Sequence, residues 1–307
     1  MMKITILGAA SAKPSAERHP SAQIVNVDEQ YYLVDAGEGV QQQMFRCGIN
    51  PLKLRGIFIS HLHGDHVFGL FPLLSTLGLY GRAAALKIYA PSPFGEILAG
   101  FRRYFEDHLC YDIEWVEVDT TAHALIFESR TLEVWSIPLR HSLRASGYLF
   151  REKPAGLNVD KFKIERYGLD IQRIVAAKRG EDVTLDDGTV IANDELTYVP
   201  RRSVSYAYCS DTSFSAKVAG IVSGVDVLYH EATYAADSKG VAGERGHSTS
   251  TQAAEVARRA GVGKLLIGHF SSRYKDPELL LEEARSVFPC TEIAEECRTF
   301  IVEPRGC

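Results

Sequence analysis

The feature that most constrains this chain is a cluster of histidines directly after a short apolar run. The apolar run is Ile57-Phe58-Ile59, which is too short for a helix and typical of a buried strand. The segment Ser60-His61-Leu62-His63-Gly64-Asp65-His66 follows it and holds three imidazoles and a carboxylate. Zinc binds nitrogen and oxygen ligands in tight shells, and a loop containing a glycine can turn such closely spaced groups towards one or two ions. The pattern therefore predicts a metal-binding loop, with a helix beginning near Val67.

Potential ligands recur at the ends of other predicted strands. Like His61, four other residues follow an apolar run directly or within one or two residues: His141, Asp211, His230 and His269. Open sheets gather functional groups outside the carboxyl ends of their strands, so we expect these side chains to meet there. Taken singly, His141 or His269 is more often an ordinary hydrogen-bonded histidine. The His61 loop in the same chain favours the ligand interpretation for both.

Two ion sites are expected at this edge. The first site is predicted to comprise His61, His63 and His141. The second site is predicted to comprise Asp65, His66 and His269. Asp211 is the natural bridge between the sites, because its carboxylate has two oxygens. Two ions about 3.5–4 Å apart can stabilise both the attacking and the leaving oxygen of phosphoryl transfer.

Composition restricts the kind of protein further. With 307 residues, 46% of them hydrophobic, the chain can bury a large core as one large domain or two smaller ones. The six cysteines form no Cys-x-x-Cys pair, and scattered thiols suit a reducing compartment better than a disulfide framework. The N-terminus enters a strand-like pattern at once, and no apolar run approaches the roughly 20 residues of a membrane helix. We therefore expect a cytoplasmic protein without a membrane segment.

Alternating strands and helices are predicted along the chain. The predicted strands are 3–8, two within 22–35, 86–90, 113–118, 132–137, 204–210, 225–229 and 265–267. The predicted helices are 40–47, the region after 67, 91–107, a helix ending near 223, 248–260 and 277–287. Ser248 is predicted to cap the helix that it begins.

One charged segment interrupts this alternation. Residues 151–195 contain Pro154, Gly156, many charges and no clear core strand. Residues 151–180 alone hold eight Lys and Arg against four Asp and Glu, in a chain whose net charge is −5. The local basic excess predicts an inserted arm within a single domain of residues 1–307.

These residues together resemble the metallo-β-lactamase superfamily. The resemblance rests on His61-x-His63-x-Asp65-His66 with His141, Asp211 and His269 downstream. It implies an α+β fold, an αβ/βα sandwich of two mixed sheets flanked by helices, with the metal site along one edge. The superfamily includes lactamases, thioesterases, phosphodiesterases and nucleases, so the fold alone does not name the substrate.

Further motifs are similar to the ribonuclease Z family. They are Phe68-Gly69-Leu70, Ser210-Asp211-Thr212, His230-Glu231-Ala232-Thr233, Gly246-His247-Ser248-Thr249 and His269-Phe270-Ser271-Ser272-Arg273-Tyr274. The resemblance implies a zinc-dependent endoribonuclease that removes 3′ trailers from tRNA precursors by attack of a metal-bound hydroxide. It would leave a tRNA 3′-hydroxyl and a 5′-phosphorylated trailer. The implied cofactor is two zinc ions per subunit, with no organic cofactor.

The same resemblance assigns roles to residues. The implied metal ligands are His61, His63, Asp65, His66, His141, Asp211 and His269. Asp65 would also accept a proton, and His247 would donate one to the leaving oxygen while Glu231 holds its tautomer. The alternative for the Glu231–His247 pair is a structural hydrogen bond beside the site. For His230 a structural role is expected.

RNA binding is predicted at two places. The arm candidates are Lys161, Lys163, Arg166, Arg173, Lys178 and Arg179, and the alternative for them is ordinary solvated charge. Ser271, Ser272 and Arg273 are expected to hold the RNA 3′ segment. The family's arm serves the active site of a second subunit, which implies a homodimer. The apolar segment 67–80 is a candidate dimer face, although a simple core helix is the equal alternative.

The chain departs from the family pattern in two segments. The arm has Lys178-Arg179-Gly180 but holds Ile171-Gln172 where a Gly-Pro pair is usual, so we expect it to fold or to contact RNA differently. The segment Pro14-Ser15-Ala16-Glu17-Arg18-His19 lacks a lysine and an asparagine that are usual there, and we expect this to affect cleavage-site selection more than catalysis.

Two rival functions remain open. The first is a small-molecule hydrolase of the same fold, either a phosphodiesterase or a glyoxalase II-like thioesterase, although such relatives lack this arm. The second is a binding protein on a decayed scaffold, which missing ligands would favour.

Overall fold

Two seven-stranded mixed sheets form the centre of the structure. It is a computed structural model that describes residues 1–13, 18–105 and 109–305. Across the first sheet the strands are β18 (Thr299–Ile301), β1 (Met2–Gly8), β2 (Ala22–Val27), β3 (Gln30–Val34), β4 (Leu54–Phe58), β5 (Leu86–Ala90) and β6 (Ile113–Glu117). Strands β18 to β3 pair antiparallel, and β3 to β6 pair parallel.

The second sheet has a similar mixed construction. Its strands in order are β17 (Thr291–Ile293), β16 (Lys264–Gly268), β15 (Val227–Glu231), β14 (Ser205–Cys209), β9 (Ser146–Glu152), β8 (Leu132–Pro138) and β7 (Leu125–Glu128). Strands β14 to β17 are parallel, so their carboxyl ends lie at one edge. That edge is where the sequence predicts its ligands, because Asp211 and His269 follow β14 and β16.

Three apolar layers stabilise the sandwich, one between the two sheets and one on the outer face of each sheet. Between the sheets, Phe58 of β4 packs against Tyr148 and Phe150 of β9, with ring centroids 5.3 and 5.4 Å apart. Because alternate side chains of a strand point to opposite faces, the outer faces of both sheets are also apolar and need cover. On the first sheet the cover is α1 (Val40–Arg46), α3 (Leu70–Leu79) and α4 (Phe94–Phe105). On the second sheet it is α8 (Ala216–Ile221), α10 (Ser250–Ala260) and α11 (Glu278–Val287). The predicted fold class, two mixed sheets flanked by helices, is confirmed.

The predicted elements are found with shifted boundaries. A short helix, α2 (Gly64–Val67), begins inside the predicted loop and carries Asp65 and His66 on its first turn. Strand β15 runs on through Glu231, two residues beyond the predicted end. The predicted helix 91–107 corresponds to α4, and the last two residues of the prediction, 106 and 107, lie outside the described residues. So do residues 14–17 of the divergent N-terminal motif.

The predicted cap of α10 is wrong. Helix α10 begins at Ser250, and Thr249 is its N-cap, forming a reciprocal capping box with Gln252. Ser248 lies one residue outside, where its hydroxyl donates to the carbonyl oxygen of Thr212 over 2.7 Å. The sequence could have distinguished the two hydroxyl residues, because Thr249 is followed three residues later by Gln252, as a capping box requires, whereas Ser248 is followed by Thr251.

The expectation of unpaired thiols is wrong for two cysteines. Cys47 and Cys297 form a disulfide with a Cα–Cα distance of 5.1 Å across a sequence separation of 250 residues. Cys110 and Cys290 are exposed free thiols, and Cys209 is a buried one. Spacing along the chain could not reveal the pair, because the fold alone brings α1 beside the turn between β17 and β18.

Residues Glu152–Ser203 form a second compact unit, and its bounds are similar to those of the arm predicted at 151–195. Its elements are β10 (Asn158–Val159), α5 (Lys161–Tyr167), α6 (Ile171–Lys178), β11 (Val183–Thr184), β12 (Val190–Ile191), α7 (Asn193–Leu196) and β13 (Thr197–Tyr198). It has its own small core, which includes Leu169, Ala177 and Leu196. The basic excess is confined to its first half, since the whole unit holds nine basic and ten acidic residues.

In the part of the chain that the structure describes, every helix is too short or too polar to cross a membrane.

Candidate metal centre

The fold brings all seven predicted ligands to one place. His61, His63, His141 and Asp211 form a first group whose potential ligand atoms lie within 4.8 Å of one another. Asp65, His66 and His269 form a second group by the same measure. The two groups meet at Asp211, which is almost fully buried at 3% exposure.

Asp211 divides its two oxygens between the two groups. Its Oδ2 lies 3.5 Å from Nε2 of His61 and 3.6 Å from Nε2 of His141. Its Oδ1 lies 3.3 Å from Nε2 of His66 and 3.1 Å from Nε2 of His269. The remaining members face the same centres: His63 Nδ1 is 3.0 Å from His61 Nε2, and Asp65 Oδ2 is 3.4 Å from His66 Nε2. Asp211 therefore stands where a carboxylate could join two cation sites.

The second nitrogen of several ligand rings is held by hydrogen bonding. Nδ1 of His61 is 3.0 Å from the Ser60 hydroxyl, and Nδ1 of His141 is 2.9 Å from the carbonyl oxygen of Gly246. Nδ1 of His269 is 2.9 Å from the hydroxyl of Thr233. Such partners set the tautomer and orientation of a metal-binding histidine. They leave Nε2 of each of these three rings directed at the centre.

Asp35 is a buried member of the site that the sequence analysis missed. Its Oδ2 lies 2.8 Å from Nδ1 of His66 and accepts hydrogen bonds from the hydroxyls of Ser60 and Tyr208, at 2.8 and 2.7 Å. Its Oδ1 accepts the backbone N–H of Ser60. Asp35 adopts a positive φ of 56°, a conformation uncommon outside glycine that these contacts hold in place. Asp35 directly follows β3, as Asp211 follows β14 after one residue, so the tendency of functional groups to lie at strand ends could have found it.

The chemistry of the centre fits divalent cations. Nε2 of His66 and Nε2 of His269 are buried and have no hydrogen-bond partner among the described residues. Buried polar atoms are rarely left so, and here both face carboxylate oxygens that need positive charge. Imidazole nitrogen and carboxylate oxygen are ligands that zinc prefers. The donor set and the orphaned nitrogens thus both suit metal ions.

Electrostatics at the centre agree with that fit. Burial lowers the pKa of His61 well below its ordinary value, which keeps the imidazole neutral as a ligand must be. Burial acts in the same direction on His66, but the carboxylates of Asp211, Asp35 and Asp65 outweigh it and raise the pKa well above its ordinary value. Burial would raise the pKa of Asp211, yet the imidazoles of His269, His66 and His61 hold it well below its usual range. The centre therefore favours ionised carboxylates with positive charge among them.

His247 and Glu231 form a pair beside the centre. Nδ1 of His247 lies 2.9 Å from Oε1 of Glu231 and 3.9 Å from Oδ2 of Asp211. Glu231 is fully buried and is held by the backbone N–H and hydroxyl of Thr233, and by the N–H of Thr212. Burial opposes the charged form of the imidazole, but the Glu231 carboxylate outweighs it and raises the pKa of His247 to about 9. The pair can hold a proton next to the carboxylate that joins the two groups.

A cavity of about 540 Å³ opens onto this centre. Its lining includes Asp211, His247 and His269 together with the predicted RNA contacts Ser271, Ser272 and Arg273. Two further cations line it that the sequence analysis missed, Lys13 and Arg245. Arg245 comes two residues before His247, so proximity in sequence to that motif could have found it. An anionic substrate would meet positive charge at the rim and the metal ligands within.

The other predicted residues lie elsewhere. The arm candidates are all in the second unit, where Lys161, Arg166, Lys178 and Arg179 are exposed. Lys163 pairs with Glu195 over 3.3 Å and Arg173 with Asp186 over 2.5 Å, so these two have partners already. His230 is fully buried in β15, with Nδ1 2.8 Å from the carbonyl oxygen of Glu231.

The fold and the site together define a protein of the metallo-β-lactamase fold class. Two solved structures match over nearly their whole length. Human tRNase Z, short form, aligns with a TM-score of 0.67 and 22% identity over 98% of this chain and 100% of that chain. The metallo-β-lactamase fold protein YhfI from Bacillus subtilis aligns with a TM-score of 0.68 and 20% identity over 97% of this chain and 98% of that chain.

Sequence relatives narrow the class. The chain is 43% identical over 293 residues to Ribonuclease Z of Porphyromonas gingivalis, covering 95% of this chain and 96% of that protein. It is 40% identical over 294 residues to Ribonuclease Z of Bacteroides fragilis, covering 96% of this chain and 97% of that protein. The chain belongs to the ribonuclease Z family, as its motifs predicted.

One further match covers less than half of the chain. A protein-family model described as Anti-Pycsar protein Apyc1 matches residues 2–143. That part contains the His61 loop and His141 but neither Asp211 nor His269. It therefore covers only some of the ligands of either group.

Proposed function

We propose that this chain is a zinc-dependent endoribonuclease that removes 3′ trailers from tRNA precursors. The products are a tRNA with a 3′-hydroxyl and a trailer with a 5′-phosphate. The observation that carries the proposal is the full-length similarity to ribonuclease Z in a chain whose seven ligand side chains and Glu231–His247 pair meet at one cavity. A binding protein on a decayed scaffold is disfavoured, because no predicted ligand is missing.

Two zinc ions per subunit are the proposed cofactors. His61, His63 and His141 would hold one, Asp65, His66 and His269 the other, and Asp211 would contact both. The orphaned Nε2 atoms and the divided oxygens of Asp211 support this assignment. When bound, a pair of such ions supplies a water acidic enough to be a nucleophile near neutral pH and neutralises charge on the phosphate.

Three side chains are proposed to move or hold protons. Asp65, besides binding a cation, would accept a proton from the attacking water. His247 would donate a proton to the departing 3′-oxygen, and the buried Glu231 would keep the imidazole protonated and oriented. Support comes from the 2.9 Å contact of His247 with Glu231 and from the pKa of about 9. Because water is the nucleophile, the 2′-hydroxyl is not consumed and the tRNA end stays intact.

Precursor tRNA is the proposed partner. Ser271, Ser272 and Arg273 would hold the RNA next to the scissile phosphate, and Lys13 and Arg245 would add positive charge at the rim. On the arm, Lys161, Arg166, Lys178 and Arg179 would contact backbone phosphates, and Lys163 and Arg173 would do so by exchanging their present partners. Exposed ion pairs contribute little stability, so such an exchange is inexpensive. We place this activity in the cytoplasm.

A homodimer is proposed through the apolar surface of α3 and α4. Helix α3 buries Leu70, Leu73 and Leu77 in the core, yet Leu79 remains 79% exposed. A groove of about 590 Å³ between the two helices is lined by Phe71, Pro72, Ser75, Ile97, Gly100, Phe101, Tyr104 and Phe105. Exposed apolar patches of this kind mark interfaces. Tyr104→Glu should then shift the sedimentation mass from dimer to monomer, whereas Leu125→Glu, on another surface, should not.

The proposal is tested on three substrates with and without a chelator. A 3′-extended pre-tRNA should be cut at one position, mapped to the nucleotide, and chelator should abolish the cut. His63→Ala should lose both activity and bound metal, whereas His123→Ala, which alters a histidine outside the site, should keep them. Turnover of S-lactoylglutathione with the RNA left intact would instead assign a glyoxalase II-like thioesterase. Hydrolysis of bis-p-nitrophenyl phosphate with the RNA left intact would assign a small-molecule phosphodiesterase.

A further inference from the structure

We propose that Glu296 is a positioning residue for Asp65, and that the Cys47–Cys297 disulfide holds Glu296 in place. The inference rests on the proposed role of Asp65 in the metal centre. According to this inference, oxidation or reduction of the Cys47–Cys297 bond changes the metal centre.

Glu296 contacts His19, which is hydrogen-bonded to the residue just before the cavity-lining residues 11–13. Its Oε1 accepts the backbone N–H of His19 over 2.6 Å, and its Oε2 lies 2.9 Å from Nδ1 of the same histidine. Oε2 also accepts a hydrogen bond from Nε2 of Gln43 over 3.0 Å, and Gln43 in turn donates to the carbonyl oxygen of Leu7. One carboxylate thus fixes both the backbone and the ring of His19.

The segment continues from His19 to the metal centre through backbone hydrogen bonds. Ala10 donates its N–H to the carbonyl oxygen of His19 over 3.0 Å, and Ser11 donates to Phe270 over 3.1 Å. Two residues beyond Ala10, the N–H of Ala12 donates to Oδ2 of Asp65 over 2.8 Å. That oxygen is the one that faces Nε2 of His66 and of His269. The hydrogen bond on Asp65 therefore depends on the position of residues 10–12, which are held by His19 on one side and by Phe270 on the other.

The disulfide joins the two elements that carry the Glu296 contacts. Cys47 is the C-cap of α1, the helix that bears Gln43, and Cys297 directly follows Glu296. Cys297 adopts a positive φ of 59°, which is unfavourable for a residue with a side chain. Its N–H donates to the carbonyl oxygen of Ile6 over 2.7 Å, and its sulfur is bonded to Cys47. Opening the bond removes one of these constraints, so the turn bearing Glu296 gains freedom.

A small dithiol can open this bond. Both cysteines are only half-buried, so a thiolate can attack either sulfur. The attack gives a mixed disulfide, which the second thiol of the reagent resolves. The protein disulfide gains two electrons and two protons and becomes two thiols, and the dithiol loses them and becomes a cyclic disulfide. In a reducing compartment such a bond is typical of redox sensing rather than of structure.

Amide hydrogen exchange at Ala12 tests the inference directly in the metal-loaded wild-type protein. Because dithiothreitol itself binds zinc through its thiolates, the protein is first reduced, then freed of the reagent without oxygen and reloaded with metal. The reduced protein should then exchange that amide about 10-fold faster and retain metal about 10-fold less well against a chelator, the usual effect of losing an outer partner of a ligand. Catalytic turnover should fall, with little change in KM. Cys290→Ser, which removes an exposed free thiol, should respond to reduction as the wild type does. Unchanged exchange at Ala12 in protein whose disulfide is shown to be open would overturn the proposal.

Variants of Glu296 separate positioning from general stability. In oxidised protein, Glu296→Ala should reproduce the fast Ala12 exchange and should then be insensitive to dithiothreitol. Glu296→Gln keeps an oxygen for the His19 N–H and should restore most of the protection. Cys47→Ser should combine with Glu296→Ala less than additively, because both act on the same contact. Fully additive effects would contradict the proposal. Exchange and metal retention need no RNA, so these outcomes do not depend on whether tRNA is the substrate.

Discussion

At the scale of single residues, partners decide what each carboxylate does. Asp35 and Asp211 both follow buried strands, and both are almost completely buried. Asp211 offers its oxygens to four Nε2 atoms, whereas Asp35 accepts hydrogen bonds from Ser60 and Tyr208 and contacts only the far nitrogen of His66. One carboxylate is thus placed to bind cations and the other to orient a ligand.

Asp35→Asn should weaken metal binding without unfolding the protein. Asparagine tolerates positive φ and can keep one acceptor, but it lacks the charge that orients the His66 ring. Metal affinity should fall about 10–100-fold, measured by competition with a chromophoric chelator. Asp28→Asn is the matched control, because Asp28 also has a positive φ, 50°, but lies in the turn between β2 and β3. Equal metal affinities for the wild type and Asp35→Asn would show that Asp35 does not support the metal ligand His66.

His247→Ala should affect substrates according to their leaving groups. A tRNA 3′-oxygen needs a proton to depart, whereas p-nitrophenolate leaves without one. Cleavage of pre-tRNA should therefore fall about 10²–10⁴-fold, the range for loss of a general acid, while hydrolysis of bis-p-nitrophenyl phosphate falls far less. Initial rates on both substrates give the comparison. Equal losses on the two would show that His247 does not act as the proton donor.

At the scale of elements, several helices begin at other residues than predicted. The His61 loop was expected to be irregular throughout, yet α2 begins at Gly64 and turns Asp65 and His66 towards the second group. Gly69, just before α3, allows a close approach, since a Cβ there would lie 2.0 Å from the carbonyl oxygen of Gly37. Similarly, α10 begins two residues after the predicted start. At α10 the capping box of Thr249 and Gln252 sets the first residue of the helix.

Thr249→Ala should destabilise the protein by about 1 kcal/mol, the usual effect of removing an N-cap hydroxyl. The hydroxyl accepts the N–H of Gln252, which the alanine variant would leave without an intrahelical partner. Urea unfolding followed by circular dichroism measures the change. Thr249→Ser retains the hydroxyl and should stay near the wild type. If Ser248 were the cap after all, Thr249→Ala would cost nothing.

At the scale of the whole molecule, the second unit and the Cys47–Cys297 disulfide have different expected roles. The second unit has its own core and lies between β9 and β14 in sequence, so the RNA binding proposed there should be separable from the chemistry. The Cys47–Cys297 bond instead joins the end of α1 to the turn before β18, across a sequence separation of 250 residues. The second unit is proposed to add an RNA-binding surface, and the disulfide is proposed to restrain the metal centre.

Replacing residues 153–202 by a short Gly-Ser linker should separate binding from catalysis. Removal of the arm cations should weaken pre-tRNA binding and flatten its salt dependence, by roughly 0.7–0.9 in log–log slope for each phosphate that the arm no longer neutralises. Hydrolysis of bis-p-nitrophenyl phosphate should persist. Filter binding across a salt series and a colorimetric assay provide the two measurements. Loss of both activities together would make the arm a structural element.

The sequence alone determined the ligand types, the strands that the ligands follow and the family, because hydrophobic periodicity and closely spaced histidines are local signals. It placed His61 and Asp211 at strand ends, where a parallel sheet must collect them. Only the tertiary structure decided which oxygen of Asp211 faces which histidine, that Asp35 supports His66, and that Cys47 meets Cys297. These contacts join residues far apart along the chain, and their distances depend on how two sheets pack, which no local pattern encodes.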